Sequence, residues 1–145
     1  MEEGMMGSEQ NKEVVRRFIE EGLNHGDLDS VADVFDPSYT NYMLGEPMDL
    51  AGAKQALAQF QAAFPDMQET IEEMVAEGEW VAVRETFAGT HQGEFNGIAP
   101  TGKRVAVQAQ TFFRVRAGKI VEDRPLVDML AMMQQLGAIP SAGQG

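Results

Sequence analysis

The chain has no cysteine, and its only imidazoles are His25 and His91. Thiolate chemistry, disulfides and cysteine-ligated metals are therefore excluded. No His-x-x-x-His spacing occurs, so a catalytic zinc is not expected. Chemistry is left to carboxylates, hydroxyls and amides. The most informative carboxylate is Asp123, within a run, Ile120–Val127, that reads as the last strand. Side chains alternate along a strand, so Asp123, Pro125 and Val127 share one face and Glu122, Arg124 and Leu126 the other. A carboxylate on an apolar, enclosed face has its pKa raised toward neutrality, as a general base requires. Asp128 stands directly before the apolar run Met129, Leu130, Met132, Met133 and Leu136, the position of a helix N-cap rather than of a catalyst.

These residues need elements to hold them. In the first half, Val14, Val15, Phe18, Ile19 and Leu23 follow helical spacing behind a Ser8 cap, and Asn24-His25-Gly26 breaks the pattern. Asp27 caps a short second helix with Leu28, Val31, Val34 and Phe35 on one side. A third helix starts near Asp49 with the stripe Leu50, Ala53, Leu57, Phe60 and Phe64, and Pro65 ends it. The second half is richer in β-branched and aromatic residues. Strands are predicted at Gln68–Glu77, Trp80–Thr90, Arg104–Arg116 and Ile120–Val127, followed by a short helix that stops at Gly137. Helices first and an antiparallel meander after give an α+β fold in one domain, residues 9–140, with loose ends at 1–8 and 141–145. A curved sheet wrapped around a long helix leaves a cavity suited to a small molecule.

Composition narrows the partners. Hydrophobic residues make up 43% and charged residues 23% of 145, a globular balance. Eleven basic against 23 acidic residues give a net charge of −12, which repels nucleic-acid backbones and anionic membranes. No apolar run reaches the roughly 20 residues of a bilayer span, and the acidic start is no secretory signal, so a cytoplasmic location is expected.

Several stretches in order resemble the SnoaL-like polyketide (ester) cyclases of the NTF2-like superfamily. They are Val14-Val15-Arg16-Arg17-Phe18, Gly26-Asp27-Leu28-Asp29, Pro37-Ser38-Tyr39-Thr40-Asn41 and Gly118-Lys119-Ile120-Val121-Glu122. The loop Gly89 to Gly102 follows the family's GxHxGxFxGxxPTG pattern, and Gln134-Gln135-Leu136-Gly137 is similar to its ending. The resemblance implies a cystatin-like α+β cone, a homodimer or larger homo-oligomer, and ring closure in a polyketide ester without metal or organic cofactor. In that family a pocket aspartate serves as base and then acid. Carried over, it falls on Pro125, which has no proton-transfer group. Thr111 falls where the founding cyclase has a pocket histidine.

With Pro125 at that position, Asp123 becomes the candidate displaced base. It lies one pleat away, roughly 6–7 Å along the strand, unless Pro125 disrupts the pleat and leaves it solvated. Asn41, Thr111 and Arg84 are candidates to position a substrate oxygen, with Asn41 alternatively a turn or strand-end residue and Arg84 a surface ion pair. Trp80 and His91 complete the ligand-binding candidates, against plain roles in the core and in a loop hydrogen bond. The Met129, Met132 and Met133 cluster reads as core or dimer contact before ligand lid. Three functions follow: a cofactor-free cyclase or isomerase acting on an apolar carbonyl compound, a non-catalytic binder of an apolar small molecule, or an epoxide hydrolase. The last is suggested by Tyr39-Thr40-Asn41 and disfavoured by Trp80-Val81-Ala82 and Pro125.

Overall fold

The computed structural model describes residues 2–43 and 45–140, with side chains from residue 7 onward. Helix α1 (Glu2–Arg17) continues into a π-helical turn, Phe18–Leu23. It starts at Glu2 and not at the expected Ser8 cap. Val15, Phe18 and Ile19 are buried, and Asn24-His25-Gly26 ends the run as expected, Gly26 having φ 66°. Asp27 then caps a 3₁₀ segment, Leu28–Val34, by accepting from the backbone N–H groups of Asp29 and Ser30. Helix α2 (Leu50–Ala63) starts on Asp49, whose side chain accepts from Gly52 N–H. Its apolar stripe turns Ala53, Ala56 and Leu57 inward.

Strands β1 (Phe35–Asn41), β2 (Gln68–Glu77), β3 (Trp80–Thr90), β4 (Arg104–Arg116) and β5 (Lys119–Val127) form one curved, unclosed sheet in the order β1-β5-β4-β3-β2. The meander β2 to β5 is antiparallel, whereas β1 joins β5 in parallel. Bulges near Glu72 in β2 and Val121 in β5 bend the sheet. Helix α3 (Met129–Leu136) is capped by Asp128, which accepts from Ala131 N–H, and ends at Gly137 in the left-handed region. Asp128 thus has the capping place its sequence context indicated.

The core lies between the concave face and the helices. Val81, Val83 and Phe87 of β3, Val105, Val107, Phe113 and Val115 of β4, and Ile120 of β5 pack against Phe18, Ile19, Leu57 and Phe64. Phe18 meets Phe113 edge-on at 5.6 Å between ring centres.

Pro125 keeps its place in the ladder opposite Thr111. The pleat is intact for a specific reason. Tyr42 N–H donates to the Asp123 carbonyl, so the backbone groups of Asp123 point toward β1. Those of Pro125, two residues on, point the same way. Strand β1 ends at Asn41, paired with Asp123, so the missing N–H of Pro125 costs the ladder nothing. Among the described residues, no helix is long and apolar enough to cross a membrane.

Candidate active site

Alternation along β5 turns Asp123, Pro125 and Val127 into a chamber of about 90 Å³ under the concave face. Asp123 is 4% exposed. The register pairs Asn41 directly with Asp123, and Tyr39 lies two residues earlier on the same face of β1. Tyr39 donates its hydroxyl proton to Asp123 Oδ2 at 2.6 Å, and Asn41 Nδ2 donates to the same oxygen at 3.2 Å. Asn41 is itself fixed, its Oδ1 accepting from Met43 N–H at 2.8 Å. Both side-chain bonds fall on Oδ2, so Oδ1 is the oxygen left for the chamber.

Burial pushes the Asp123 carboxyl up, the Tyr39 hydrogen bond pulls it back, and the charge of Glu85 raises it again; the result is about 7. Tyr39 is held well above the ordinary phenol range, first by burial and then by the Asp123 charge. It remains a proton donor throughout.

Two further carboxyls face the chamber. Glu85 takes an inward position on β3, between Val83 and Phe87, and is 3% exposed. Thr111 donates to its Oε1 at 2.6 Å, while Oε2 is buried with no partner among the described residues. Burial raises the Glu85 carboxyl and the Thr111 bond opposes it. Glu69 lines the chamber from β2, held in place through its backbone. Asn24 Nδ2 donates to Glu69 O at 2.9 Å, and Glu69 N–H donates to Asn24 Oδ1 at 2.7 Å. The Glu69 carboxyl is driven well above the usual range by burial, then by the charges of Glu85 and Asp123. The rest of the wall is apolar, with Phe18, Leu57, Phe60, Phe113 and Met132. A wider vestibule of about 650 Å³ shares Met43, Phe60, Pro125 and Val127 with the chamber and so adjoins it.

Of the residues selected from sequence, Asp123, Asn41 and Thr111 meet at this chamber. Trp80 and Arg84 do not. The inward positions of β3 are Val81, Val83, Glu85 and Phe87, so Trp80 and Arg84 project from the outer face. There Arg84 pairs with Glu73 at 2.7 Å and Arg114 lies over the Trp80 ring. His91 is fully buried but does not line the chamber. Its Nδ1 accepts from Thr101 N–H at 3.2 Å, clasping the Gly89–Gly102 loop. Met132 reaches the chamber and Met129 the vestibule. Sequence reasoning missed Glu85, Glu69 and the role of Tyr39. The signal for Glu85 was present: a single charge at the inward parity of an otherwise apolar strand face.

The family model for SnoaL-like polyketide cyclases matches residues 13–136. The chain belongs to the SnoaL-like polyketide cyclase family. A relative from Streptomyces galilaeus, the aklanonic acid methyl ester cyclase AcmA, is 32% identical over 85% of this chain and 88% of its own length. Its counterpart DnrD from Streptomyces peucetius is 30% identical over 86% and 89%. Among solved structures, IdmH of Streptomyces antibioticus, described as a candidate polyketide cyclase, superposes with a TM-score of 0.80. It is 32% identical, over 88% of this chain and 99% of that one. AclR of Streptomyces galilaeus, described as a candidate hydroxylase, gives a TM-score of 0.84 at 28% identity, over 94% and 87%. Membership in this cyclase family supports a cyclase-type function.

Proposed function

We propose that this chain closes a carbon ring in an apolar, carbonyl-bearing ester by cofactor-free acid–base chemistry, with Asp123 as the base. The observation that carries this reading is a buried carboxyl at about 7 with one oxygen held by Tyr39 and Asn41. Such a group is half ionised near neutrality, where proton removal and return are both accessible. It takes a proton from the acidic carbon next to a carbonyl, and the enolate then attacks a second carbonyl in the same molecule. Asp123 serves in place of the carboxylate that the family resemblance implies at the position of Pro125. The chamber receives the reacting end and the vestibule the remainder of a larger substrate.

The test uses aklanonic acid methyl ester, the substrate class of the relatives, with ring-closed product followed by chromatography. Wild type is expected to convert it and Asp123→Asn to lose conversion. Equal conversion by the two proteins overturns the assignment of Asp123. Saturable binding by wild type with no turnover supports the second reading, a binding protein for an apolar carbonyl compound. That reading is favoured by Pro125 and Thr111, which the family resemblance sets at positions of catalytic residues, and Pro125→Asp is then expected to give turnover. The epoxide-hydrolase reading is less supported: it draws on Tyr39 and Asn41 at the carboxylate and is scored by diol formation from an apolar epoxide.

The active form we propose is a homodimer joined through the outer face of the sheet. Val75, Ala82 and Phe112 lie in one cross-strand row there, with Val75 64% and Phe112 54% exposed.

A further inference from the structure

We infer that Glu69 and Glu85 form a second proton-transfer centre, which holds one proton between them and delivers it to the carbonyl oxygen that the enolate attacks. This rests on the proposed role of Asp123 and extends it. The geometry is set by register. Glu69 pairs with Phe87 across β2 and β3, which makes Glu85 its diagonal neighbour on the same inward face. Carboxyl side chains in that relation can meet. Asp123 lies on the other side of β4, opposite Phe113, whereas Glu85 lies opposite Ala109. The two centres are therefore offset along and across the sheet, and both line the chamber.

Glu85 carries the second observation. Its Oε1 is fixed by Thr111, but Oε2 is buried in the chamber wall with no partner among the described residues. An unsatisfied polar atom in that setting costs about 1–3 kcal/mol, relieved when a ligand atom or a shared proton reaches it. The charged and titratable groups facing the pair are few. Asp123 with its donor Tyr39 comes from β5 and β1. No Lys, Arg or His lines the chamber among the described residues, and the helical segments contribute only apolar side chains there. With no cation to neutralise them, three carboxyls cannot all ionise, and a proton is retained. Glu69 is the group on which Glu85 and Asp123 both act to hold it.

The step balances as follows. The C–H bond next to the first carbonyl breaks, its proton going to Asp123 and its electron pair into the enolate. The enolate carbon bonds to the second carbonyl carbon, and the electrons of that C=O bond take the proton of the Glu69–Glu85 pair. The proton on Asp123 returns to the pair through solvent in the vestibule. The product is an isomer of the substrate, and both centres are restored.

Two measurements test this. Infrared spectroscopy of wild type above neutral pH is expected to show a protonated-carboxyl band that shifts in D2O. The band persists in Asp123→Asn and disappears in Glu69→Gln. No such band in wild type, or one unchanged in Glu69→Gln, overturns the inference without reference to turnover. On aklanonic acid methyl ester, Glu69→Gln is expected to lower kcat by roughly 10²-fold with little change in KM, and to abolish the descending limb of the pH profile. Wild-type kcat and an intact descending limb in Glu69→Gln overturn this centre and leave Asp123 standing. Wild-type turnover by Asp123→Asn instead removes the reading beneath it.

Discussion

The Tyr39 hydroxyl reaches Asp123 Oδ2 at 2.6 Å across a sequence separation of 84 residues. The bond exists because β1 joins β5 in parallel, with Asn41 in register with Asp123. It sets the working range of the carboxyl, since burial and the Glu85 charge push Asp123 up while the Tyr39 hydrogen bond pulls it down. Tyr39→Phe removes a donor to a charged acceptor, worth about 1.5–3 kcal/mol. The ascending limb of the kcat/KM profile is expected to move up by about one pH unit or more. A pH–rate profile on the ester substrate checks it, and an unmoved limb removes Tyr39 from the site.

Asp123→Asn is expected to trade activity for stability. The native carboxyl holds its proton up to about 7, whereas the unfolded value is 3.8. Between those values the folded state binds more protons, so wild-type stability falls as pH rises through the window and stays lowered above it. Three pH units correspond to roughly 4 kcal/mol. Asparagine keeps the shape and an acceptor for Tyr39 but carries no charge. The variant should therefore melt higher than wild type above pH 7 and lose that advantage below about pH 4. Activity should fall at least ~10²-fold. Thermal melts at the two pH extremes check the sign, and a variant less stable at high pH contradicts it.

How much of this was legible in the sequence differs by residue. The caps Asp27, Asp49 and Asp128 and the alternation of β5 are local properties, and local spacing reports them well. Asp123 was found that way. The fate of Pro125 was not, because whether its absent N–H matters depends on where a strand far away in sequence, β1, ends. Tyr39 was visible as a residue, but not its bond, which is created by that same pairing. Trp80, and Arg84 as an oxygen-positioning residue, were misplaced because parity on β3 was not applied to them, although the same alternation, applied from Val81 and Val83, turns both outward; the alternative surface ion pair of Arg84 is the one formed. Glu69 lies among Glu72, Glu73 and Glu77 in a strand interrupted by a bulge, and no pattern in that run distinguishes the one that faces inward.

The outer face gives a third prediction. Phe112 is 54% and Val75 64% exposed, and the sheet places them two strands apart with Ala82 between. Adjacent apolar side chains on a sheet face mark an interaction surface when they are not isolated. Phe112→Asp introduces a charge there without touching the chamber. Sedimentation is expected to show wild type as a dimer and the variant as a monomer. A wild type that sediments as a monomer at micromolar concentration rejects the dimer across this face.

Asn24 gives the last prediction, because it joins the end of the π-helical turn to the site. Its side-chain amide makes both hydrogen bonds to the Glu69 backbone, donating to the carbonyl at 2.9 Å and accepting from the N–H at 2.7 Å. Its own N–H is bonded to Ile19 O, so the residue is fixed at its base as well as at its tip. Asn24→Ala deletes both bonds and leaves a half-buried backbone donor and acceptor without partners, a loss of about 2–3 kcal/mol. Asn24→Asp preserves the acceptor and loses the donor, so a smaller loss is expected. If Glu69 must be held in place to share its proton, Asn24→Ala also lowers kcat more than it changes KM at a temperature where the protein is fully folded. Chemical denaturation gives the first quantity and steady-state kinetics the second. A stability loss with wild-type kcat would show that Asn24 supports the fold alone.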